Sequence, residues 1–271
     1  MNIRENTANL LNDVRKTIPL IHNITNYVTV NDVANAVLAI GASPIMADAI
    51  EESEDITAIS SALVLNIGTL NKRTVDSMVL SGKKANEMNI PVVFDPVGAG
   101  ASAFRNQTTQ RILSEVKIDI LRGNLSEISF VAGLEVATKG VDSALEDEKN
   151  DAVKVANEVA ARLDCVVAIT GAVDVIADGT RTVKLNNGHP MLSKVTGTGC
   201  MTSAIVGAYA GAGKDYFTAA IGGVASMGIA GEIAYTKAEA IGTGTFHINI
   251  IDALSRLDRE QLLKRIKMHE A

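Results

Sequence analysis

Ala62-Leu63-Val64-Leu65-Asn66-Ile67-Gly68 stays apolar for four residues without alternating, then breaks on an asparagine and closes on a glycine. A strand with one wet face alternates apolar and polar side chains. A continuous apolar run bounded by turn residues fits a strand covered on both faces, the habit of parallel sheets flanked by helices. The same pattern recurs at 91–95 (Pro-Val-Val-Phe-Asp), 118–122 (Ile-Asp-Ile-Leu-Arg) and 165–170 (Cys-Val-Val-Ala-Ile-Thr), with shorter extended pieces at 20–23 and 43–46. Helical spacing fills the gaps, over 7–17, 28–40, 53–60, 74–88, 106–115 and 151–163, with Gly41 as a C-terminal stop. Asp178-Gly179 turns a hairpin across 174–185, and the last third is predicted helical. With no linker, low-complexity segment or internal repeat, residues 1–271 are expected to form a single α/β domain: a mostly parallel sheet with helices on both faces.

Each strand ends in a polar or glycine cluster: Asn66-Ile67-Gly68, Asp95-Pro96-Val97-Gly98, Arg122-Gly123-Asn124 and Thr170-Gly171. Ligands of open α/β sheets bind outside the carboxyl ends of the strands. Four such ends on one edge therefore define a candidate site before any motif is considered.

Composition narrows the function classes. In 271 residues there are 25 Lys and Arg against 31 Asp and Glu, a net charge of -6, which argues against a nucleic-acid backbone as ligand. Hydrophobic residues are 47% of the chain and charged residues 21%, which excludes disorder as the overall state. With aromatics at 3% and no Trp, the core is built from Ala, Val, Ile, Leu and Met, side chains that let helices sit close to a sheet. Cys165 and Cys200 make no disulfide framework and read as free thiols of a reducing, cytoplasmic setting. The mixed charge of MNIRENTANLLNDVRK does not fit a signal peptide. Residues 195–213 and 216–231 carry no charge, but their threonines and glycines fit buried core helices better than a membrane hairpin.

Val195-Thr196-Gly197-Thr198-Gly199-Cys200 opens the first of those uncharged runs. A glycine loop leading into a helix presents backbone N–H groups and the positive end of the helix dipole to an anion, phosphate above all. Close packing of a buried helix explains the same glycines equally well. Standard phosphate motifs are missing: Gly211-Ala212-Gly213-Lys214 continues with Asp215, and Gly98-Ala99-Gly100 continues as Ala-Ser-Ala. Asp95 and Glu127 stand just beyond neighbouring strand ends, where two carboxylates suit a hydrated magnesium that also borrows phosphate oxygens. Alternatively Asn124 caps a helix and Glu127 is its capping-box partner. The sequence leaves both open.

Taken together, His22-Asn23-Ile24-Thr25-Asn26, Asp95-Pro96-Val97-Gly98-Ala99-Gly100, Arg122-Gly123-Asn124, Thr170-Gly171-Ala172-Val173-Asp174 and Gly197-Thr198-Gly199-Cys200 resemble, in order, the hydroxyethylthiazole kinases of the ribokinase-like superfamily. Cys200 is the most specific mark, because most of that superfamily carries Asp there. The resemblance implies a ribokinase-like three-layer fold and ATP-dependent phosphorylation of 4-methyl-5-(2-hydroxyethyl)thiazole, a salvage step towards thiamine. It also implies Mg2+, with ATP as co-substrate, and a homotrimer with thiazole sites between subunits. By matched motif it implies substrate contacts at Asn26, Met46 and Gly197, ATP contacts at Arg122 and Thr170, and metal-side roles for Asp95 and Glu127. Residues Gly197, Thr198, Gly199 and Cys200 would form the anion hole, with Cys200 facing the hydroxyl. Two other classes stay open: a ribokinase-like ATP-dependent hydratase and a non-catalytic small-ligand binder.

Other polar residues have plainer expectations. His22 is expected to be a hydrogen-bonded structural residue, His189 and His247 structural or loop residues, and Cys165 core. Met46 reads as core apart from the resemblance. Lys139, Lys184 and Lys194 are expected to be solvated.

Overall fold

The structure is a computed structural model, and it describes residues 2–134, 151–239 and 241–271. Lys139 lies outside them.

Helix α1 (Ile3–Thr17) leads into strand β1 (Leu20–Ile24), α2 (Val30–Ile40), β2 (Ser43–Ile45) and α3 (Ser53–Ala58). Then come β3 (Ala62–Asn66), α4 (Lys72–Met88), β4 (Val92–Asp95), α5 (Ala103–Glu115), β5 (Ile120–Gly123), α6 (Leu125–Ala132), α7 (Ala152–Leu163) and β6 (Val166–Ile169). A hairpin, β7 (Asp174–Ala177) and β8 (Thr182–Leu185), precedes a 3-10 turn (Pro190–Lys194). Four helices, α8 (Thr198–Ala212), α9 (Tyr216–Ala238), α10 (Thr243–Arg256) and α11 (Arg259–Arg265), precede β9 (Met268–Glu270). The sheet order is β2-β1-β3-β4-β5-β6-β7-β8-β9. The first five pairings are parallel and the last three antiparallel.

The continuous apolar strands serve two cores, as expected. Along β3, Ala62 and Val64 join the cluster packed with α1, α2, α8, α9 and α10, while Leu63 and Leu65 join the cluster packed with α4, α5 and α7. The same split separates Val93 from Phe94, Ile120 from Leu121 and Ala168 from Val167. Small residues bring α8 onto the sheet: a Cβ on Gly207 would lie 2.4 Å from Val64 Cγ2. Helix α9, at 23 residues, is long and apolar enough to cross a membrane, but 89% of its most apolar window is buried, and it packs against α8 and α10. That matches the expectation of a core helix.

Three expectations need correction beyond shifts of one or two residues at helix ends. Helix α1 starts at Ile3, four residues before the expected 7, with Asn2 capping it by accepting the Arg4 N–H. The last third is not wholly helical, because Met268–Glu270 adds an antiparallel edge strand beside β8. Its Met-His-Glu has no run or alternation to announce a strand. Its place is set by tertiary contacts, including the Arg4 side chain donating to the Met268 carbonyl. Helix α5 also starts at Ala103, three residues before the expected 106, because Ser102 caps it by accepting the Arg105 N–H.

Candidate active site

Strands β3, β4 and β5 end side by side, delivering Asn66, Asp95 and Arg122 to one edge, and α8 begins above them. Asp95 is fully buried. Its Oδ2 accepts from Ser203 Oγ at 2.7 Å, Asn66 Nδ2 at 2.9 Å and Arg122 Nη1 at 3.4 Å. Its Oδ1 is buried without a hydrogen-bond partner among the described residues. Burial pushes the Asp95 carboxyl above the ordinary carboxylate range, against the pull of the Arg122 charge and the three donors. A cation at Oδ1 would offset that cost.

Arg122 also donates to Thr170 Oγ1, so the two residues expected to meet ATP touch each other. The Arg122 guanidinium lies against the first turn of α8, where a Cβ added at Gly199 would stand 2.8 Å from Nη1. Glycine there leaves room for the cation beside the helix start.

Glu127 fulfils the capping reading. Asn124 accepts the Glu127 N–H at 2.8 Å, and Glu127 Oε2 accepts the Asn124 N–H at 2.7 Å. Its Oε1 takes the Gly98 N–H, from the loop after β4, at 2.8 Å. Burial first, then the Asp95 charge, pushes the Glu127 carboxyl up to about 7. The capping role therefore does not remove Glu127 from the site; the same bonds hold it beside Asp95. Among the described residues no three His, Cys, Asp or Glu side chains cluster as a metal cage. One orphaned carboxylate oxygen with a second carboxylate nearby fits magnesium, which commonly takes one or two protein carboxylates and completes its shell with water and phosphate.

Helix α8 starts without a side-chain cap. Gly197, its N-cap, has φ 88°, and a Cβ there would also lie 2.7 Å from Thr29 Cγ2. The first α8 hydrogen bond runs from Met201 N–H to Gly197 O at 2.8 Å, so the N–H groups of Thr198, Gly199 and Cys200 precede the helical ladder. The Thr198 hydroxyl turns back to the Leu192 carbonyl at 3.1 Å.

Cys200 is half-buried, and its sulfur accepts from two amides, Asn26 Nδ2 and Asn66 Nδ2, each at 3.3 Å. Burial and the Asp95 charge push the thiol up, outweighing the hydrogen bonds from Thr29 and Asn26. Position at a helix N-terminus, which lowers a thiol pKa, does not win here. Met46 follows edge strand β2 and packs half-buried on the larger core cluster, against which Cys200 also packs.

The plain expectations hold for the histidines and for Cys165. His22 is buried between Thr57 Oγ1 (2.9 Å) and the Ala47 carbonyl (2.8 Å), and burial lowers its pKa. His189 stacks on Tyr235 at 3.5 Å, and His247 pairs with Asp32 at 3.0 Å. Burial drives the Cys165 thiol up to about 12.

Three participants had no role at the sequence level. Asn66 stood in a quoted strand-end cluster, but nothing in its neighbours ties it to residue 200. Ser203 lies one turn beyond Gly199, a spacing that places both on one helix face. Arg105 reads as an ordinary helix cation, yet it donates to the carbonyls of Ile67 (2.6 Å), Val97 (2.7 Å) and Gly68 (2.8 Å), tying the loops after β3 and β4 together.

A model of the hydroxyethylthiazole kinase family matches residues 11–260. The chain is 64% identical over 262 residues to the hydroxyethylthiazole kinase of Ruminiclostridium cellulolyticum, covering 96% of each chain. It is 63% identical over 266 residues to that of Clostridium beijerinckii, covering 97% of this chain and 96% of the other. Among solved structures, hydroxyethylthiazole kinase from Pyrococcus horikoshii OT3 superposes with TM-score 0.88 at 40% identity, covering 98% of both chains. Pyridoxal kinase from Staphylococcus aureus in complex with ADP superposes with TM-score 0.61 at 16% identity, covering 79% of this chain and 88% of the other, a likeness of fold.

Proposed function

The chain belongs to the hydroxyethylthiazole kinase family, and on that premise we propose that it transfers the γ-phosphoryl group of ATP to the hydroxyl of 4-methyl-5-(2-hydroxyethyl)thiazole, in the cytoplasm, as a magnesium-dependent homotrimer. The observation that carries the site assignment is the convergence on one sheet edge of an uncapped helix start, a fixed guanidinium and a carboxylate with an orphaned oxygen. Neither the hydratase nor the binding-protein reading gains support from the family match.

Phosphoryl transfer has a loose transition state, so positioning and charge stabilisation carry most of the catalysis. The N–H groups of Thr198, Gly199 and Cys200 donate to the transferring phosphoryl oxygens. In other anion holes one such donor is worth about 3 kcal/mol. Arg122, held by Asp95 and Thr170, supplies a cation whose position is set before ATP arrives. Asp95 would hold the metal through its unpartnered Oδ1. Glu127, with both oxygens already accepting backbone N–H groups, would hold it through water. Magnesium, when bound, neutralises charge on the phosphates.

Cys200 orients the hydroxyl. Its sulfur already accepts from two amides, and its raised pKa keeps the thiol neutral, so it is poorly suited to remove the proton at the start of the reaction. A loose transition state asks little of a base until late. Asn26 donates to the same sulfur and borders the proposed thiazole side. Beside it, Tyr27 and Val28 are 80% and 54% exposed, apolar surface that supports a site completed by a second copy. Free thiols at Cys165 and Cys200 support the reducing compartment.

The test is ADP release with and without the thiazole alcohol, before and after metal chelation, alongside light scattering. The proposal expects alcohol-dependent and metal-dependent turnover by a trimer. ADP release indifferent to the alcohol, or a monomer at micromolar concentration that is fully active, contradicts it.

A further inference from the structure

The Asn66 side chain makes four hydrogen bonds, and their pattern fixes which end of the amide points where. The Gly68 backbone N–H reaches one amide atom at 2.9 Å. A peptide N–H can only donate, so that atom is Oδ1. Asn26 Nδ2 donates to the same oxygen at 2.9 Å. Nδ2 of Asn66 therefore faces the other way, giving one proton to Asp95 Oδ2 at 2.9 Å and one to Cys200 Sγ at 3.3 Å. Both protons and both acceptor directions of the amide are in use. At 2% exposure Asn66 offers no surface to a substrate, so its influence must pass through the residues it holds.

Those residues belong to opposite sides of the reaction. Asp95 stands with the phosphates, while Asn26 and Cys200 stand with the acceptor alcohol. We propose that Asn66 is a positioning residue for phosphoryl transfer: its amide sets the place of the Cys200 sulfur relative to Asp95, and so the alignment of the acceptor hydroxyl with the phosphoryl group. This rests on the reading of Cys200 as the residue facing the hydroxyl. With Asn26 and Asn66 both donating to Sγ, the thiol proton points away from both amides. Without Asn66 the sulfur keeps one amide donor, gains the space the side chain occupied, and turns between rotamers.

The experiment is a double-mutant cycle of Asn66→Ala and Cys200→Ala. Transfer is followed in single turnover with enzyme in excess over the thiazole alcohol, ATP and magnesium saturating, a format that resolves very slow rates. Misplacement on the ångström scale costs about 100-fold in an oriented reaction. Asn66→Ala is therefore expected to slow transfer by about 10- to 100-fold in the otherwise unchanged chain, while separate steady-state kinetics of the same variant show the KM for each substrate moving little. In the Cys200→Ala chain, where there is no sulfur to place, the same change is expected to slow transfer less than about threefold, a clear departure from additivity. An equal loss in both backgrounds overturns the proposal and makes Asn66 a residue of the fold or of Asp95 alone. An unchanged rate in Cys200→Ala by itself overturns the reading of Cys200 and the proposal with it. Should Asn66→Ala fail to fold, Asn66→Ser completes the cycle with the same expectations.

Discussion

Gly98 donates its backbone N–H to Oε1 of Glu127 at 2.8 Å, joining the loop that follows Asp95 to the first turn of α6. A carboxylate that only capped its helix would have no need of a bond to another loop. Glu127→Gln retains one acceptor for the two backbone donors and turns an amide towards the other. Magnesium-dependent turnover is expected to fall at least about 10-fold, while thiazole affinity changes less than about threefold, because the phosphate side is disturbed and the alcohol side is not. Steady-state kinetics across a magnesium titration measures this. Unchanged turnover in a folded variant would reduce Glu127 to its capping role.

Arg105 serves the same two loops from the other side. Its guanidinium holds the carbonyls of Ile67, Gly68 and Val97, and Gly68 is the residue whose N–H orients Asn66. Arg105→Ala leaves three carbonyls without this donor and is expected to destabilise the chain by about 2–4 kcal/mol in urea unfolding. Arg105→Lys keeps the charge but not the fork, so it is expected to recover only part of the stability and of kcat. Full recovery of both by lysine would mean that charge, rather than the clamp, is what matters.

Arg105 and Asn66 owe their roles to tertiary structure and not to their neighbours in the chain. The apolar runs of β3 and β4 announce themselves because burial on both faces is written into consecutive residues such as Leu63-Val64-Leu65. Asp95, Arg122 and Gly197 to Cys200 were visible because each sits where a run of one kind gives way to another. Asn66 occupies such a boundary as well, but its partner Cys200 is 134 residues away, and only the stacking of α8 on the sheet brings them together. Arg105 lies in a largely polar helix, where an arginine has no distinguishing context. Met268–Glu270 became a strand because β8 presented a free edge, a property of the finished sheet and not of those three residues.

Asp174 gives the chain a pH dependence. Its Oδ1 accepts the Gly171 N–H at 2.9 Å, and burial pushes its carboxyl up to about 7. The folded chain thus holds a proton that the unfolded chain releases near pH 4. The stability associated with that proton is complete below the unfolded value and is lost as pH rises through about 7. Without ligands, Tm is expected to fall between pH 5 and pH 8. Asp174→Asn, which keeps the acceptor but cannot ionise, should show a visibly smaller fall. Parallel Tm curves for the two proteins would exclude Asp174 as a source.

The central claim is that backbone N–H groups at the start of α8 carry phosphoryl transfer while Cys200 orients the acceptor. The most direct measurement is the kinetics of Cys200→Ala and Cys200→Asp with ATP, magnesium and the thiazole alcohol, together with intact-mass spectrometry of the unaltered protein during turnover. Neither substitution removes a backbone donor. A carboxylate at the third residue of a helix is also favoured by the dipole, although the nearby Asp95 opposes it. The account predicts that Cys200→Ala loses activity by no more than the roughly 10²–10⁴-fold typical of a lost acid–base group and keeps a measurable rate. It predicts that Cys200→Asp stays active and that no mass is added to the protein. A phosphorylated cysteine during turnover would contradict it and make Cys200 the nucleophile, and a folded, ATP-binding Asp variant with no activity at all would contradict it as well.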